Sequence, residues 1–137
     1  MDIRFYLSLF FIVSFSIFMV SCSKEKKEIE RNYPRVATGL VTNVNMDGAT
    51  FNGSFLQTGG AEIIDHGFAF GVFSSPTILN GEKLSLGSST GSGSFTARAN
   101  YAFTTNETYY VSAYARNKDK IFYSQSVSFV NKGGKSP

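Results

Sequence analysis

Tyr109-Tyr110-Val111-Ser112-Ala113-Tyr114-Ala115-Arg116 is the stretch on which the fold turns. Tyr109, Val111, Ala113 and Ala115 fall on one side of an extended chain, and Tyr110, Ser112, Tyr114 and Arg116 on the other. That is a period of two, so the segment reads as a strand with one face inward. The same alternation appears earlier. Ala49, Phe51, Gly53 and Phe55 interleave with Thr50, Asn52 and Ser54, and Phe95, Ala97, Ala99 and Tyr101 with Ser94, Thr96, Arg98 and Asn100. Turn-forming residues separate these runs at Asp47-Gly48, Gly59-Gly60, Ser75-Pro76, Asn80-Gly81 and Asn117–Lys120. No window from Val36 onward carries a helical period. Short strands at this spacing make an all-β sandwich or barrel.

Charge and composition narrow the classes. The chain has 137 residues, 14 phenylalanines and no tryptophan, which suits a core of Phe on β-branched neighbours. Its formal net charge of +3 sits in the two ends. Between Val36 and Val130 the basic residues are Lys83, Arg98, Arg116, Lys118 and Lys120. Against them stand Asp47, Glu62, Asp65, Glu82, Glu107 and Asp119. A nucleic-acid footprint would cluster on the domain, so no nucleic-acid partner is expected. One cysteine, Cys22, permits no internal disulfide, and stability must come from packing.

The stretch Phe103–Asn117 resembles the approach to the sixth strand of fibronectin type III-like domains. Asp65-His66-Gly67-Phe68-Ala69-Phe70 resembles a strand of that family's bacterial lipoprotein branch. Ser75-Pro76-Thr77, Gly91–Thr96 and Tyr123–Phe129 match its later turn and strands in order, over about 95 residues. The resemblance implies a seven-strand, immunoglobulin-like sandwich over 36–130. It makes Tyr109 the tyrosine-corner residue, whose hydroxyl bonds upstream backbone. The function it implies is adhesive or scaffolding, not catalytic. Thr105 stands where proline is common, Ala69 where cysteine is frequent, and His66 where a basic residue is usual.

The N-terminal end adds a compartment. Sixteen residues, Phe5–Val20, are apolar apart from three serines; Ser21, Cys22 and Ser23 follow, then a charged run from Lys24 to Arg31. A bilayer span needs roughly 20 apolar residues, so the length suits a signal-peptide core. The pattern resembles a bacterial lipoprotein leader, in which the cut precedes the cysteine and its sulfur carries lipid. A cleaved secretory leader and an uncleaved anchor are the competing readings, and all three place the domain outside the cytoplasm. The expected organisation is a signal peptide at 1–21, the lipidated cysteine and charged linker at 22–35, the sandwich at 36–130 and a tail at 131–137. Residues Ser23–Arg35 form a solvated tether that reaches at most ~45 Å. The resemblance implies outer-membrane attachment, facing the periplasm or the cell surface.

No general acid, base and nucleophile set is visible. His66 is the single histidine, and Asp65 beside it points to the other face of its strand. A metal would lack partner ligands, and no cofactor is expected. Gly87–Gly93 is rich in glycine and serine but lacks the Gly-Lys-Ser/Thr of a phosphate loop. The chain therefore reads as a non-enzymatic binding, adhesion or assembly protein. Its expected partners are the membrane, through lipid on Cys22, and an envelope protein or a glycan.

Two binding candidates follow. The outer face of strands C, F and G would carry Tyr110, Ser112, Tyr114 and Arg116, with Phe122, Ser124 and Ser126 beside them and Asp65, Gly67, Ala69 and Gly71 opposite. Tyr110, Tyr114, Arg116 and Phe122 would make an aromatic groove able to stack sugars, the carbohydrate-binding alternative. Plain coverage of glycines by tyrosine is the competing account of the same pattern. The loop Phe73–Leu84 is the second candidate. The expected sandwich holds Gln57–Ala61 and Asn117–Lys120 toward the membrane and turns Phe73–Leu84 away from it.

Overall fold

The computed structural model describes residues 33–134; the expected leader, Cys22 and most of the expected tether lie outside them. Nine strand segments make up the described chain: β1 (Arg35–Thr38), β2 (Thr42–Asn45), β3 (Gly48–Gln57), β4 (Ile63–Gly71), β5 (Glu82–Ser89), β6 (Ser94–Ala99), β7 (Thr108–Arg116), β8 (Ile121–Tyr123) and β9 (Val127–Val130). No described residue is helical. The strands form two antiparallel sheets, so the all-β expectation holds.

In the first sheet β3 is central. β6 pairs with one side of it from Ala49 to Ser54. β1 and β2 therefore share the other side, β1 against Gly53–Gln57 and β2 against Gly48–Thr50. In the second sheet β5, β4 and β7 lie side by side, and β8 and β9 succeed one another along the free side of β7.

β3 shows the alternation that the sequence requires: Ala49, Phe51 and Gly53 are buried, while Thr50, Asn52 and Ser54 are half-buried. Phe51 is fully buried and meets three rings of the opposing sheet, Phe68 at 5.6 Å, Phe70 at 5.1 Å and Phe129 at 5.6 Å. Tilted rings at these distances gain edge-to-face attraction beyond area burial. Phe103, Tyr109 and Phe129 extend the cluster toward the start of β7. There the Thr104 N–H donates to the Tyr109 hydroxyl oxygen at 3.0 Å. Asn131, fully buried, donates from Nδ2 to the Phe103 carbonyl at 2.8 Å and fastens the last strand to the same loop.

The last lane departs from a regular ladder. β8 pairs Tyr114 with Tyr123, whereas β9 pairs Val111 with Val127. Two residues of β7 thus face three residues, Ser124–Ser126, across the gap. An extra residue in one strand is a bulge, and it reverses which side chains point inward. The amide left at Ala113 is satisfied by side chains: its N–H donates to Thr38 Oγ1 at 2.8 Å and to Ser124 Oγ at 3.1 Å. Thr38 and Ser124 also hydrogen-bond each other. β1 is thereby tied across the sandwich edge to β7.

Gly67 is required by contact as well as conformation. Its φ is +151°, and a Cβ there would lie 2.0 Å from the Leu84 carbonyl oxygen. Truncating Phe51 to Ala is expected to cost about 3–5 kcal/mol, because a fully buried ring leaves a cavity between the sheets. Leu79→Ala, at a side chain 92% exposed, is expected to change stability by less than about 0.5 kcal/mol. Urea unfolding of the two variants checks the contrast.

Candidate functional site

The outer face of the second sheet is built by the pairing of β4 with β7. Asp65 lies opposite Arg116, Gly67 opposite Tyr114, Ala69 opposite Ser112 and Gly71 opposite Tyr110. Small residues on β4 form a trough, and Tyr114 fills it over Gly67. Tyr114 has no exposed surface. Its hydroxyl donates to Asp65 Oδ2 at 3.0 Å, and Lys83 Nζ approaches the same oxygen at 2.9 Å. Ser85 Oγ donates to Asp65 Oδ1 at 2.5 Å, and Lys83 Nζ stands 5.9 Å over the Tyr114 ring.

This network sets two ionisations. Burial pushes the Asp65 carboxyl up, but the Ser85, Lys83 and Tyr114 donors outweigh it and hold the group below its ordinary value. Burial, followed by the bond to the Asp65 carboxylate, holds the Tyr114 phenol well above its ordinary value. Asp65 is thus an ionised acceptor with three donors, and Tyr114 a neutral donor. Chemically the cluster is closed: it ties β4, β5 and β7 together and leaves no base free.

The expected aromatic groove is not formed by these residues. Tyr114 is buried and Tyr110 half-buried, while Arg116 is exposed. Phe122 pairs with Ala115 and so lies on the inner side, where its ring stacks on Tyr33 at 5.7 Å and 9°. The cause is the bulge. Counting back from inward Val127 and Phe129 puts Phe122 outside, and the extra residue among Ser124–Ser126 reverses that parity. Tyr123 takes the outer position across from Tyr114, with ring centroids 6.3 Å apart.

His66 is buried on the inner face, 4.9 Å from the Phe95 ring and 5.5 Å from the Phe55 ring. Its Nδ1 lies 2.6 Å from the Gly87 carbonyl oxygen. The imidazole is used in packing, away from Asp65. Among the described residues, no group of three or more His, Cys, Asp and Glu side chains is placed to hold a metal ion.

The two candidates of the sequence, the outer face and the loop after β4, come together at one cavity. Ser126 Oγ donates to the Ser74 carbonyl at 2.5 Å, and the Ile78 N–H donates to the Tyr123 hydroxyl at 3.1 Å. The loop is thus laid against the last lane. Asn80 shapes it: Oδ1 accepts from the Thr77 N–H at 2.7 Å, and the Gly81 N–H donates to the Thr77 carbonyl at 3.0 Å. Between loop and lane lies a cavity of about 370 Å³, lined by Ser75, Pro76, Thr77, Ser112, Tyr123, Ser124, Gln125 and Ser126. Sequence reasoning passed over Lys83, Ser85 and Tyr123. The first two had a signal, since Lys83 and Ser85 alternate with Leu84 and Leu86. Tyr123 had none, because nothing local marks the bulge.

No family model, curated protein or solved structure matches this chain.

Two outcomes follow for the buried network. Tyr114→Phe removes one donor to an ionised group and is expected to cost about 1–2 kcal/mol at neutral pH. The phenol's folded pKa is raised, so its stabilisation is complete below the ordinary value of 10 and is lost as pH climbs toward the folded value. Wild-type stability should therefore fall more steeply than that of Tyr114→Phe from pH 10 upward, read by urea midpoints. Asp65 has the opposite sign. Its stabilisation is present above the ordinary value of 3.8 and lost as pH falls through the depressed folded value.

Proposed function

We propose that this protein is a lipid-anchored, non-enzymatic binding protein of the bacterial cell envelope, with a fibronectin type III-like sandwich carried on lipidated Cys22. The order of pairing supports the sandwich type. With β1 and β2 taken as one interrupted strand, and β8 and β9 as another, the nine segments reduce to seven strands. These lie in a three-stranded sheet centred on β3 and a four-stranded sheet β5-β4-β7-β8/β9, the arrangement of strands in that family. The leader-like run Phe5–Val20 before Cys22 supports the anchor.

One observation carries the orientation. The chain comes into the domain under a clamp: Tyr33 stacks on Phe122, Pro34 is fully buried, and Gln57 Nε2 donates to the Tyr33 carbonyl at 3.2 Å. Gly59, at φ +65°, passes so close that a Cβ would lie 2.2 Å from Tyr33 N. The clamp fastens the chain to the end that carries the 57–61 and 117–120 loops. Only residues 24–32 and their flanks remain to span from Cys22 to the clamp, a reach of at most ~35 Å. That end is held toward the membrane, and the loop after β4, with Phe73 58% and Leu79 92% exposed, faces away. Partners are met there or across the side of the sheet.

Cys22→Ser is expected to abolish incorporation of radiolabelled fatty acid and to release the protein from the membrane fraction. A variant that keeps either property would sink the anchor. For orientation, dyes at Asp119→Cys and Leu79→Cys in the lipidated protein on liposomes should be quenched unequally by a headgroup quencher, Asp119→Cys the more strongly. Equal quenching, or the reverse, would refute it.

A further inference from the structure

The cavity between the loop after β4 and the last lane has a distinctive chemistry. Six hydroxyls border it, from Ser75, Thr77, Ser112, Tyr123, Ser124 and Ser126, and none of its lining side chains is charged. Pro76 and the Tyr123 ring add flat apolar surface, and Gln125 adds a carboxamide that can both donate and accept. Several of these groups keep capacity to spare. The Tyr123 hydroxyl accepts from Ile78 N–H, which leaves its own proton to donate. Ser126 gives its proton to the Ser74 carbonyl, which leaves its lone pairs to accept.

Ser112 is the decisive residue. It sits at the middle of β7, is 2% exposed, and lines the cavity. Its hydroxyl makes no hydrogen bond to a described residue and stays open to the cavity, since no described side-chain polar atom is both fully buried and unpaired. A hydroxyl in that position is hydrated while the cavity is empty and can exchange its water for a ligand hydroxyl. On a strand whose central residues are otherwise covered, a hydroxyl that lines the cavity is placed for a group that enters it from outside.

We propose that this cavity binds an uncharged sugar residue. A sugar presents a ring of hydroxyls, each donor and acceptor, around an apolar C–H face. The hydroxyls match the serine and threonine rim, and the C–H face matches Tyr123 and Pro76. An anionic ligand finds no cation on the walls, and a wholly apolar one would strand the hydroxyls. The volume of about 370 Å³ lies within the range of small-molecule sites and suits one or two sugar units. The assignment rests on the binding role proposed above and supplies its ligand class, at a site distinct from the Tyr110, Tyr114 and Phe122 groove.

The test uses the full lipidated chain in detergent and an immobilised panel of neutral oligosaccharides ending in hexose or N-acetylhexosamine. Sulfated and sialylated glycans and extended peptides serve as competitors in chemistry. Hits are then titrated by NMR. A small neutral ligand of this size is expected to bind with a dissociation constant of about 1 mM. Ser112→Ala should weaken it about fivefold, as one lost hydrogen bond does, and Gln125→Ala similarly. Lys118→Ala, at the far end of the sheet, should leave it unchanged. The proposal is overturned if no neutral glycan binds at about 10 mM, if only charged glycans or peptides bind, or if Ser112→Ala and Gln125→Ala both bind as the wild type. Circular dichroism of each variant separates loss of fold from loss of site. None of these outcomes depends on fatty-acid labelling of Cys22, so failure here and failure of the anchor are told apart.

Discussion

In a strand the side chains alternate strictly, and one additional residue in the lane beside β7 therefore reassigns every side chain before it. Ser124–Ser126 face only two residues of β7, and most of what is particular to this molecule follows from that mismatch. Phe122 turns inward and receives Tyr33. Tyr123 turns outward, stands beside Tyr114 and holds the backbone of Ile78. The loop after β4 is drawn onto the sheet and supplies one wall of the open cavity. The amide uncovered at Ala113 is recovered by Thr38 and Ser124, so the irregularity leaves no orphaned backbone donor there. Bulges commonly re-aim side chains next to binding sites, and this one re-aims two aromatic rings at once.

Asp65 is the second organising group. A carboxylate on the covered face of a sheet is tolerable only with donors, and the two strands flanking β4 supply three of them: Ser85 and Lys83 from β5, Tyr114 from β7. These donors add side-chain ties to the backbone ladder that holds β5, an edge strand, against β4. They also explain why β4 and β7 are buried on both faces, although their sequences alternate as though one face were wet. The tyrosine that looked available to a ligand is the group that covers Gly67 and satisfies Asp65.

Much of the architecture was legible in the residues. Phe51 and its neighbours, Phe95–Ala99 and Tyr109–Ala115 carry a clean period of two, and their strands lie where the pattern puts them. Burial of Tyr114 was not legible. Period two says which face a residue points to, but not whether something else covers that face, and the cover comes from Lys83 and Tyr123, distant in sequence. The inward turn of Phe122 was hidden for another reason. A bulge has no strong local mark in Tyr123-Ser124-Gln125-Ser126, and the only guide was extrapolation from Val127 and Phe129. The cavity depends on both of these, so only its ingredients, serines and a tyrosine, could be read beforehand.

The clamp at Tyr33 and Pro34 changes what the molecule can do with weak affinity. By fastening the chain so early it leaves a leash of only about ten residues between the domain and Cys22, on the proposed anchoring. A domain held this close to a surface samples a small volume, and short leashes of this kind give effective local concentrations in the millimolar range. A site whose intrinsic dissociation constant is also millimolar would then be about half occupied by any ligand fixed to the same surface, and nearly vacant toward the same ligand in dilute solution. The stacking of one tyrosine on one phenylalanine would thus set a selectivity for neighbours over passers-by, without any contact to the ligand itself.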